Sequence, residues 1–567
     1  MNSSLKNKWW WVIAVAGFLA VNYLASLFHT RIDLTHEKRF TISEPVKDVL
    51  KNIDEPAEVL VFLKGDLPSG FKKLAATSLE TLQEFKDYSR GKIHYKLISA
   101  EDVMPGSGIT YADTLTSLGI IPINLKIQLK AGEQSQYVYP AALVNYKGKL
   151  QAVNLYTGTK AIITPPELNS AEALLEYKFA DALLKMINPH RPLIAYATGH
   201  GEPTGINTYD LVENVLKKDY ELFTVNLAQE PVIPDTFKAL IMVKPTLAFS
   251  DDEKLKIDQY VMRGGNLILF IDRLEAEMDS LQIKNQVIAY DRNLQLNDLL
   301  FRYGARINPD LLMDLQCDFL PFSVNNQDQY EFLHWNYFPL FESSQNSVIN
   351  KNLGLVSGKF VNTIDTVAAP GITKTILLKS SDNSRSISTP ALISGTENRN
   401  APVDAQFNQK GLFTGVLLEG KFPSLYKNRI SRSKMDTLQN FGTPFLGDGI
   451  KNSKIILVSD GDIVLNGVMQ GNPIPMGVNH YTIGSQYEYQ FANRQFVENA
   501  LEYIVDEGKL SEARGKDYQL RLLDIKKINA DRHFWQIINL SIPIILILIF
   551  GFTYQWIRKR KYVKIAP

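Results

Sequence analysis

Cysteine is the scarcest residue in this sequence, with Cys317 alone among 567 residues. A single cysteine excludes intramolecular disulfides, cysteine-rich zinc sites and CxxC redox chemistry. A surplus of either charge is also missing, because 61 Lys and Arg residues face 60 Asp and Glu residues. Proteins that bind nucleic acid usually carry a clear basic excess, so we expect no nucleic-acid partner.

Motifs for nucleotide hydrolysis and hydrolase chemistry are missing as well. None of the six Gly-Lys dipeptides is followed by Ser or Thr, which excludes a Walker A loop and predicts that the chain does not hydrolyse ATP. Neither a GxSxG elbow nor an HExxH zinc motif occurs. Cys317 lacks the strand–turn–helix context of a nucleophile, and we expect a buried, inert thiol. The sequence therefore predicts no enzyme, no cofactor and no bound metal.

Charge is absent from two long apolar stretches, 9–28 and 534–557. A helix of such length spans the hydrocarbon core of a bilayer, which is about 30 Å thick. We therefore predict a transmembrane helix at each end of the chain. The alternative for each stretch is a buried core helix. For the first it is also a cleaved signal peptide, which is less favoured because the apolar run is longer than a typical signal-peptide core.

The charges that flank these stretches predict their orientation. Lys6 and Lys8 precede the first stretch, and the tail 558–567 carries basic residues without an acid. The flanks that face the middle of the chain are mixed in sign. The positive-inside rule therefore places both termini in the cytoplasm and residues 29–533 on the other side of the membrane.

Alternating helices and apolar strands predict an α/β protein between the two membrane helices. A β-α-β opening followed by an antiparallel pair resembles a thioredoxin-like module without its redox motif. A second α/β module follows, and a stretch rich in Asn, Ser and Gly interrupts it as a β-rich insertion. The predicted limits are 1–8 for the N-terminal tail, 9–28 for the first membrane helix, 35–165 for the thioredoxin-like module, 166–190 for a connecting helix, 191–280 and 453–508 for the second module, 281–452 for the insertion, 509–533 for an amphipathic stalk, 534–557 for the second membrane helix and 558–567 for the basic tail.

The loop Gly199-His200-Gly201-Glu202 lies between a predicted strand and a predicted helix. A glycine-rich turn in this position can cradle a phosphate on free N–H groups. However, the spacing departs from the dinucleotide-binding pattern, and Pro203 removes one donor. His200 and Glu202 can instead form an acid–base or metal-binding pair. A tight turn at the end of a strand is the plain alternative, so we keep these four residues as a candidate ligand or partner loop.

Asp460 and Asp462 also follow a predicted strand, a position where ligands of cations often lie. Aspartates are equally common where a chain turns, so turn formation remains the alternative interpretation. Together with the glycine-rich loop, these two residues complete the candidate ligand or partner set.

Several short segments carry a resemblance that covers nearly the whole chain. They are residues 31–35, 39–43, 198–202, 264–267, 410–413 and 458–462. In this order, and with one membrane helix at each end, the chain resembles the GldG-type gliding-motility proteins, which are auxiliary components associated with an ABC transporter. The resemblance implies a multi-pass ABC permease and a cytoplasmic ABC ATPase as partners, a substrate-binding role, and a place in the bacterial inner membrane with residues 29–533 in the periplasm. It also implies that the second α/β module is similar to class I glutamine amidotransferases, whose catalytic cysteine is missing here.

We therefore expect a non-catalytic, membrane-anchored extracytoplasmic subunit of an ABC-type transporter complex associated with gliding motility. Its helices are expected to dock to the permease through small residues, with Ala14, Gly17 and Gly551 as candidates. Outside the bilayer it would hold cargo or contact envelope or motility proteins. Two alternatives stay open: an envelope-binding or sensing module that uses residues 281–452, and a periplasmic hydrolase-like enzyme that uses His200 and Glu202.

Overall fold

A computed structural model describes most of the chain, in ranges separated by gaps. The described residues are 10–27, 41–106, 108–120, 122–129, 132–156, 165–278, 280–281, 286–323, 330–344, 346–395, 403–506, 510–515 and 525–562. The chain divides into two units, residues 1–518 and 519–567, and each is described by itself. The predicted N-terminal tail, residues 1–8, and most of the segment 31–43 lie outside the described residues.

The first apolar stretch forms a helix over Trp10–Leu27, close to the predicted limits 9–28. Residues 15–22 of this helix are exposed. Among the described residues, one helix is long and apolar enough to cross a membrane, and it lies at the other end of the chain. A membrane crossing by the N-terminal helix therefore stays a prediction.

Strands in the first part of the chain form two small sheets. They are β1 (Ala57–Val61), β2 (Ile93–Leu97), β3 (Ile123–Leu129), β4 (Gly132–Val138), β5 (Ala141–Tyr146) and β6 (Lys149–Asn154). One sheet has the order β2-β1-β5-β6, in which β1 and β2 run parallel and β5 and β6 are antiparallel, and β3 pairs with β4. Lys147 and Gly148 both have positive φ, which the tight turn between β5 and β6 requires. The expected β-α-β unit and antiparallel pair are present, while the thioredoxin-like assignment stays a prediction.

Five helices accompany these strands. They are Glu44–Lys51, Ser69–Tyr88, Tyr111–Ser117, Pro165–Ala173 and Leu175–Ile187. The sequence predicts one connecting helix over 166–190, and the structure has two helices in this stretch that meet at Leu174. Phe179 and Leu183 of the second helix are buried against the first sheet, which gives this part of the chain its own hydrophobic core.

A large mixed sheet dominates the rest of the first unit. The remaining strands are β7 (Leu193–Thr198), β8 (Glu221–Asn226), β9 (Ala239–Val243), β10 (Asn266–Phe270), β11 (Leu274–Glu275), β12 (Gln286–Asp291), β13 (Ala305–Ile307), β14 (Asp310–Asp314), β15 (Cys317–Ser323), β16 (Tyr330–Ser343), β17 (Val356–Ser357), β18 (Ile364–Thr366), β19 (Ile372–Lys379), β20 (Ser384–Ser388), β21 (Ala391–Ser394), β22 (Phe413–Gly420), β23 (Ser453–Val458), β24 (Val468–Met469) and β25 (Asn472–Pro473). The large sheet has the order β8-β7-β9-β10-β23-β22-β19-β16-β15, and β17 pairs with β16. The first five strands are parallel, and the strands from β22 to β15 continue the sheet in antiparallel fashion.

The β-rich stretch 281–452 is part of this sheet. Four of its strands, β15, β16, β19 and β22, extend the parallel half beyond β23, and smaller sheets join β11, β12 and β21, β13 and β18, and β14 and β20. The sequence indicated the abundance of strands but not their place, because pairing partners lie far apart along the chain. The module limits given above therefore stay predictions.

Helices cover both faces of the parallel strands. In this part they run over Ile206–Thr208, Tyr209–Leu211, Val212–Leu216, Lys217–Asp219, Asp251–Met262, Asn297–Tyr303, Asp404–Gln406, Arg432–Asn440, Asp462–Val464, Asn493–Val505 and Leu510–Gly515. Leu240 in β9 packs in the core under the helix Asp251–Met262, whereas its neighbour Ile241 packs in the core under the helix Asn493–Val505. Strands buried on both faces explain why the parallel strands are continuous apolar runs.

The second unit contains the helix Ile525–Tyr562. Its segment Phe534–Arg560 is long and apolar enough to cross a membrane, and none of it is buried within the structure. The predicted limits 534–557 therefore fall within a longer helix. Pro543 lies inside it, as tolerated in membrane helices whose neighbours satisfy the freed backbone carbonyl.

Candidate functional site

The carboxyl ends of four parallel strands, β7, β9, β10 and β23, gather the polar residues that the sequence singles out. β7 and β9 are neighbours, although β8 lies between them in the chain. In open α/β sheets, ligands bind at such a reversal of strand order, outside the carboxyl ends of the strands. This edge is therefore the first place to examine for chemistry.

The loop after β7 is fastened to the loop after β9. The N–H groups of Thr246 and Leu247 donate to the carbonyl oxygen of His200 over 2.7 and 2.9 Å. Gly201 has a φ of +81°, and a Cβ at this position would collide with Thr246 Oγ1. The glycine is therefore required by a left-handed backbone and by the close approach of the neighbouring loop.

The imidazole of His200 lies buried between an aromatic ring and two carboxylates. It stacks on Phe249 with 3.7 Å between ring centroids and 13° between planes. Its Nε2 lies 3.2 Å from Oε2 of Glu253, and its Nδ1 lies 3.8 Å from Oε1 of Glu202. Neither His200 Nδ1 nor Glu202 Oε1 has a hydrogen-bond partner within the described part of the chain.

The two carboxylates beside His200 differ in their surroundings. Burial raises the pKa of Glu202, while the N–H of His200, which donates to its Oε2 over 2.7 Å, opposes that rise. Burial acts on Glu253 as well, but hydrogen bonds from Ser250 and His200 outweigh it and hold the pKa of Glu253 below its usual value. Glu253 also completes the capping box that the sequence predicts for the helix Asp251–Met262. The surroundings therefore shift the pKa values of the two carboxyl groups in opposite directions.

A second group lies at the ends of β10 and β23. One carboxylate oxygen each from Asp272, Asp460 and Asp462 lie within 4.8 Å of one another, which is a spacing that can hold a cation. The positive charge next to these carboxylates comes from Lys244, directly after β9. Its Nζ lies 2.8 Å from Asp462 and 3.2 Å from both Asp272 and Glu277. One ammonium group of the chain thus pairs with three carboxylates, those of Asp272, Glu277 and Asp462.

The charges of this acidic group are unequal. Burial, together with the nearby Asp272 and Asp462 carboxylates, raises the pKa of Asp460 well above its usual value. Burial also acts on Asp462, but Lys244 outweighs it and leaves the pKa of Asp462 below its usual value. Burial lowers the pKa of Lys244, but the three carboxylates it contacts outweigh that effect and raise it well above its usual value. The arrangement is a buried ion-pair network in which the pKa of Asp460 is raised and that of Asp462 is lowered.

The predicted residues thus fall into two groups on one edge of the sheet. His200 and Glu202 follow β7, whereas Asp460 and Asp462 follow β23, and the sheet places β9 and β10 between them. Three strand spacings amount to about 14 Å. The role of these residues as a ligand or partner site stays a prediction.

Lys244, Glu277 and Phe249 of these groups escape sequence reasoning. Lys244 comes directly after an apolar strand, just as Asp272 and Asp460 do, so its position at a strand end was the available signal. Phe249 offers no such signal, because an aromatic residue before a helix is common.

The remaining predicted residues lie elsewhere. Cys317 is buried, as expected, and burial raises the pKa of its thiol. A Cβ added at Gly17 or Gly551 would meet open space. Apart from chain neighbours and the nearby backbone of its own helix, no heavy atom of the described residues would lie within 4 Å of it. Ala14 lies in the helix Trp10–Leu27. Docking of the membrane helices through these three residues stays a prediction.

Comparisons with known proteins match the first part of the chain and the part with the large sheet separately. A family described as an ABC-type uncharacterized transport system matches residues 191–500, which is more than half of the chain, and a domain of unknown function matches residues 36–145. An uncharacterized protein of Borreliella burgdorferi is 23% identical over 547 residues and covers 94% of each chain. The solved mmIFT52 N-terminal domain aligns with 55% of this chain and 96% of its own at 11% identity, and its TM-score of 0.30 is too low to bear on the fold. By the match over residues 191–500, the chain belongs to the family of ABC-type uncharacterized transport systems, as an auxiliary component.

Proposed function

We propose that this protein is a non-catalytic, membrane-anchored subunit of an ABC-type transport complex. The C-terminal apolar helix supports an anchor, and the missing Walker A loop indicates that a separate ATPase supplies energy. One or two membrane helices are too few to line a transport path, so a permease is the second expected partner. In this proposal the folded part between the two apolar stretches lies outside the cytoplasm and holds cargo or an envelope protein.

The observation that carries the non-catalytic role is the position of Lys244. The edge of the sheet that usually receives a ligand is filled here by the protein's own side chains, with Lys244 Nζ 2.8 Å from Asp462 and the His200 ring stacked on Phe249. A charge that is paired within the protein, as Lys244 is with Asp462, favours a structural or binding role over turnover.

The finer assignments rest on the resemblance. We propose a role in gliding motility or export to the surface, a place in the bacterial inner membrane with both termini in the cytoplasm, and kinship of the two modules with thioredoxin-like and amidotransferase-like folds. The order β2-β1-β5-β6 of the first sheet and the parallel strands of the second support only the proposed kinship of the two modules.

Co-purification tests the main proposal. The full-length tagged chain, solubilised in mild detergent, is expected to bring down a multi-pass permease and an ABC ATPase, identified by mass spectrometry. A matched control is the same chain with residues 519–567 replaced by an unrelated membrane helix, which is expected to lose the permease. Recovery of neither partner by the wild-type chain contradicts the proposal.

An enzyme is the second candidate, favoured by the buried pair His200 Nδ1 and Glu202 Oε1, which have no hydrogen-bond partner in the described structure. If the pair were catalytic, His200→Gln and Glu202→Gln would each abolish motility or export while protein levels and co-purification stay normal. We expect both variants to retain function wherever they remain folded. Loss of function in folded, complex-forming variants contradicts the non-catalytic proposal.

A further inference from the structure

An open groove of about 510 Å³ is lined by none of the residues of the two groups described above, although Arg273 in its wall directly follows Asp272. Its walls come from the strand-end residue Arg273, the helix Asn297–Tyr303, the strand β13 and the segment 425–429. Four of the residues that line it are arginines: Arg273, Arg302, Arg306 and Arg429. The concentration of guanidinium groups is unusual for a chain whose total charge is nearly balanced.

Most of these guanidinium groups are available for a ligand. Arg273 is engaged, because it pairs with Asp291 at 2.6 Å and donates to the carbonyl of Ile307. Arg302 donates from Nε to the carbonyl of Ser424 over 3.3 Å, which leaves its two terminal nitrogens. The side chains of Arg306 and Arg429 have no ion-pair or hydrogen-bond partner among the described residues.

The groove contains one acid, and another part of the chain partly neutralises it. Asp298 lies 2.9 Å from Nζ of Lys254, which also pairs with Asp251 at 3.0 Å, so the lysine offsets part of the Asp298 charge and the arginines outnumber it. The groove is therefore a site of positive potential. Guanidinium forks bind carboxylate and phosphate groups, and in both cases two N–H groups can engage one anion.

The apolar residues of the groove favour a peptide that carries carboxylates over a lone phosphate. Phe301 lines the groove with 54% of its surface exposed, and Leu425 lies beside it, half-buried. Exposed aromatic residues next to arginines are typical of the residues that dominate protein–protein binding energy. A phosphate alone makes no use of Phe301, and an open groove encloses too little of a small molecule to bind it well.

We propose that this arginine groove binds an extended acidic peptide segment of a partner protein, with carboxylates on the free arginines and an apolar side chain on Phe301. The proposal rests on the groove and does not require the transport role. The acidic segment would be recognised by charge and by one apolar contact, which gives a fast, salt-dependent association.

Fluorescence anisotropy with the detergent-solubilised full chain tests the proposal. The probe is a labelled peptide of Glu residues with one Leu and one Phe, and the reference peptide carries Gln in place of Glu. We expect the acidic peptide to bind at least about tenfold more tightly than the reference, and more weakly as salt is raised. Equal binding of the two peptides overturns the proposal.

Paired variants locate the binding. The double variant Arg306→Glu/Arg429→Glu is expected to weaken binding of the acidic peptide by about tenfold or more. Lys149→Glu/Lys410→Glu makes the same charge change at exposed residues elsewhere and is expected to leave binding within about twofold. If the two double variants behave alike, the groove is not the binding site and the proposal fails.

A last pair separates peptide from phosphate. Phe301→Ala is expected to weaken binding of the Phe-containing peptide several-fold and to leave a peptide with Ala in place of Phe almost unchanged. Inorganic phosphate and a soluble short-chain phosphatidylglycerol are the competing anions. Displacement of the peptide by either of them at equal concentration, together with no effect of Phe301→Ala, overturns the peptide proposal in favour of a phosphate site.

Discussion

Arg514 donates from Nη2 to the hydroxyl of Tyr177 over 2.6 Å, and its guanidinium lies 4.0 Å from the centre of the tyrosine ring. The same nitrogen also pairs with the carboxylate of Glu502. Three segments meet at this arginine. They are the helix Leu175–Ile187, which packs in the core of the first sheet, the helix Asn493–Val505, which packs in a core of the large sheet, and the short helix Leu510–Gly515. Arg514 therefore links the short helix to the core of the first sheet through Tyr177 and to a core of the large sheet through Glu502.

Arg514→Ala should destabilise the folded chain strongly. The substitution leaves the buried Glu502 carboxylate without its cation, and removing one partner of a buried ion pair costs about 3–5 kcal/mol. Unfolding in urea, followed by circular dichroism, measures the loss. Arg432→Ala removes an exposed arginine and should change stability by no more than about 0.5 kcal/mol. Similar unfolding midpoints for the two variants contradict the assigned role.

Glu502 should make stability depend on pH near neutrality. Burial raises the pKa of Glu502 to about 7, against the opposing charge of Arg514. A carboxyl whose folded-state pKa is raised binds its proton more tightly in the folded state, so its contribution is present in acid and is lost as pH rises towards 7. Glu502→Gln should therefore flatten the fall in thermal midpoint between about pH 4.5 and pH 7.

Glu230→Gln is the control for that measurement, because it makes the same change at an exposed residue away from this network. Its pH profile should follow that of the wild type. The prediction fails if the Glu502→Gln profile keeps the wild-type slope.

Gly201→Ala should destabilise the loop after β7. The alanine would have to adopt a φ of +81° and would push against Thr246, which together cost more than about 1 kcal/mol. Gly205→Ala lies in the same loop but has a φ of −96° and open space around the new Cβ, so its effect should be close to zero. Thermal unfolding compares the two, and equal midpoints contradict the packing argument.

Lys244→Ala should turn the ion-pair network into a cation site. Without Nζ the carboxylates of Asp272, Asp460 and Asp462 repel one another, and the fold should lose about 3–5 kcal/mol. Calcium can then take the place of the ammonium group, so millimolar calcium chloride should raise the thermal midpoint of the variant and leave the wild type unchanged.

Lys254→Ala provides the comparison for calcium. It removes a lysine whose partners Asp251 and Asp298 are exposed, so calcium should not stabilise this variant. A midpoint of Lys244→Ala that does not respond to calcium contradicts the prediction.

Local features of the fold follow directly from the sequence. The apolar run Ala239–Val243 favours a strand and forms β9, and Ser250 and Glu253 have the spacing of a capping box and form one. Both depend on residues within a few positions of each other, through hydrophobic periodicity and side-chain capping of free N–H groups. The chain ends are similar, because an apolar run identifies a membrane-length helix without any tertiary contact.

The partners of the candidate residues do not follow from the sequence. His200 and Glu202 stand out as a pair, yet the imidazole contacts Phe249 and Glu253, some fifty residues further along. Nothing local marks these residues as neighbours. They meet because β7 and β9 lie side by side in the sheet.

By itself, the sequence determined the classes of chemistry that one cysteine and no Walker A loop exclude, the apolar stretches at both ends, and the alternation of strands and helices. Tertiary structure alone decided that Lys244 would pair with Asp272 and Asp462, that strands from 281–452 would extend the parallel sheet, and that arginines from 302 to 429 would line one groove. The physical reason is that local propensity acts over a few residues. Charge pairing and sheet order instead depend on which distant segments the packed core brings together.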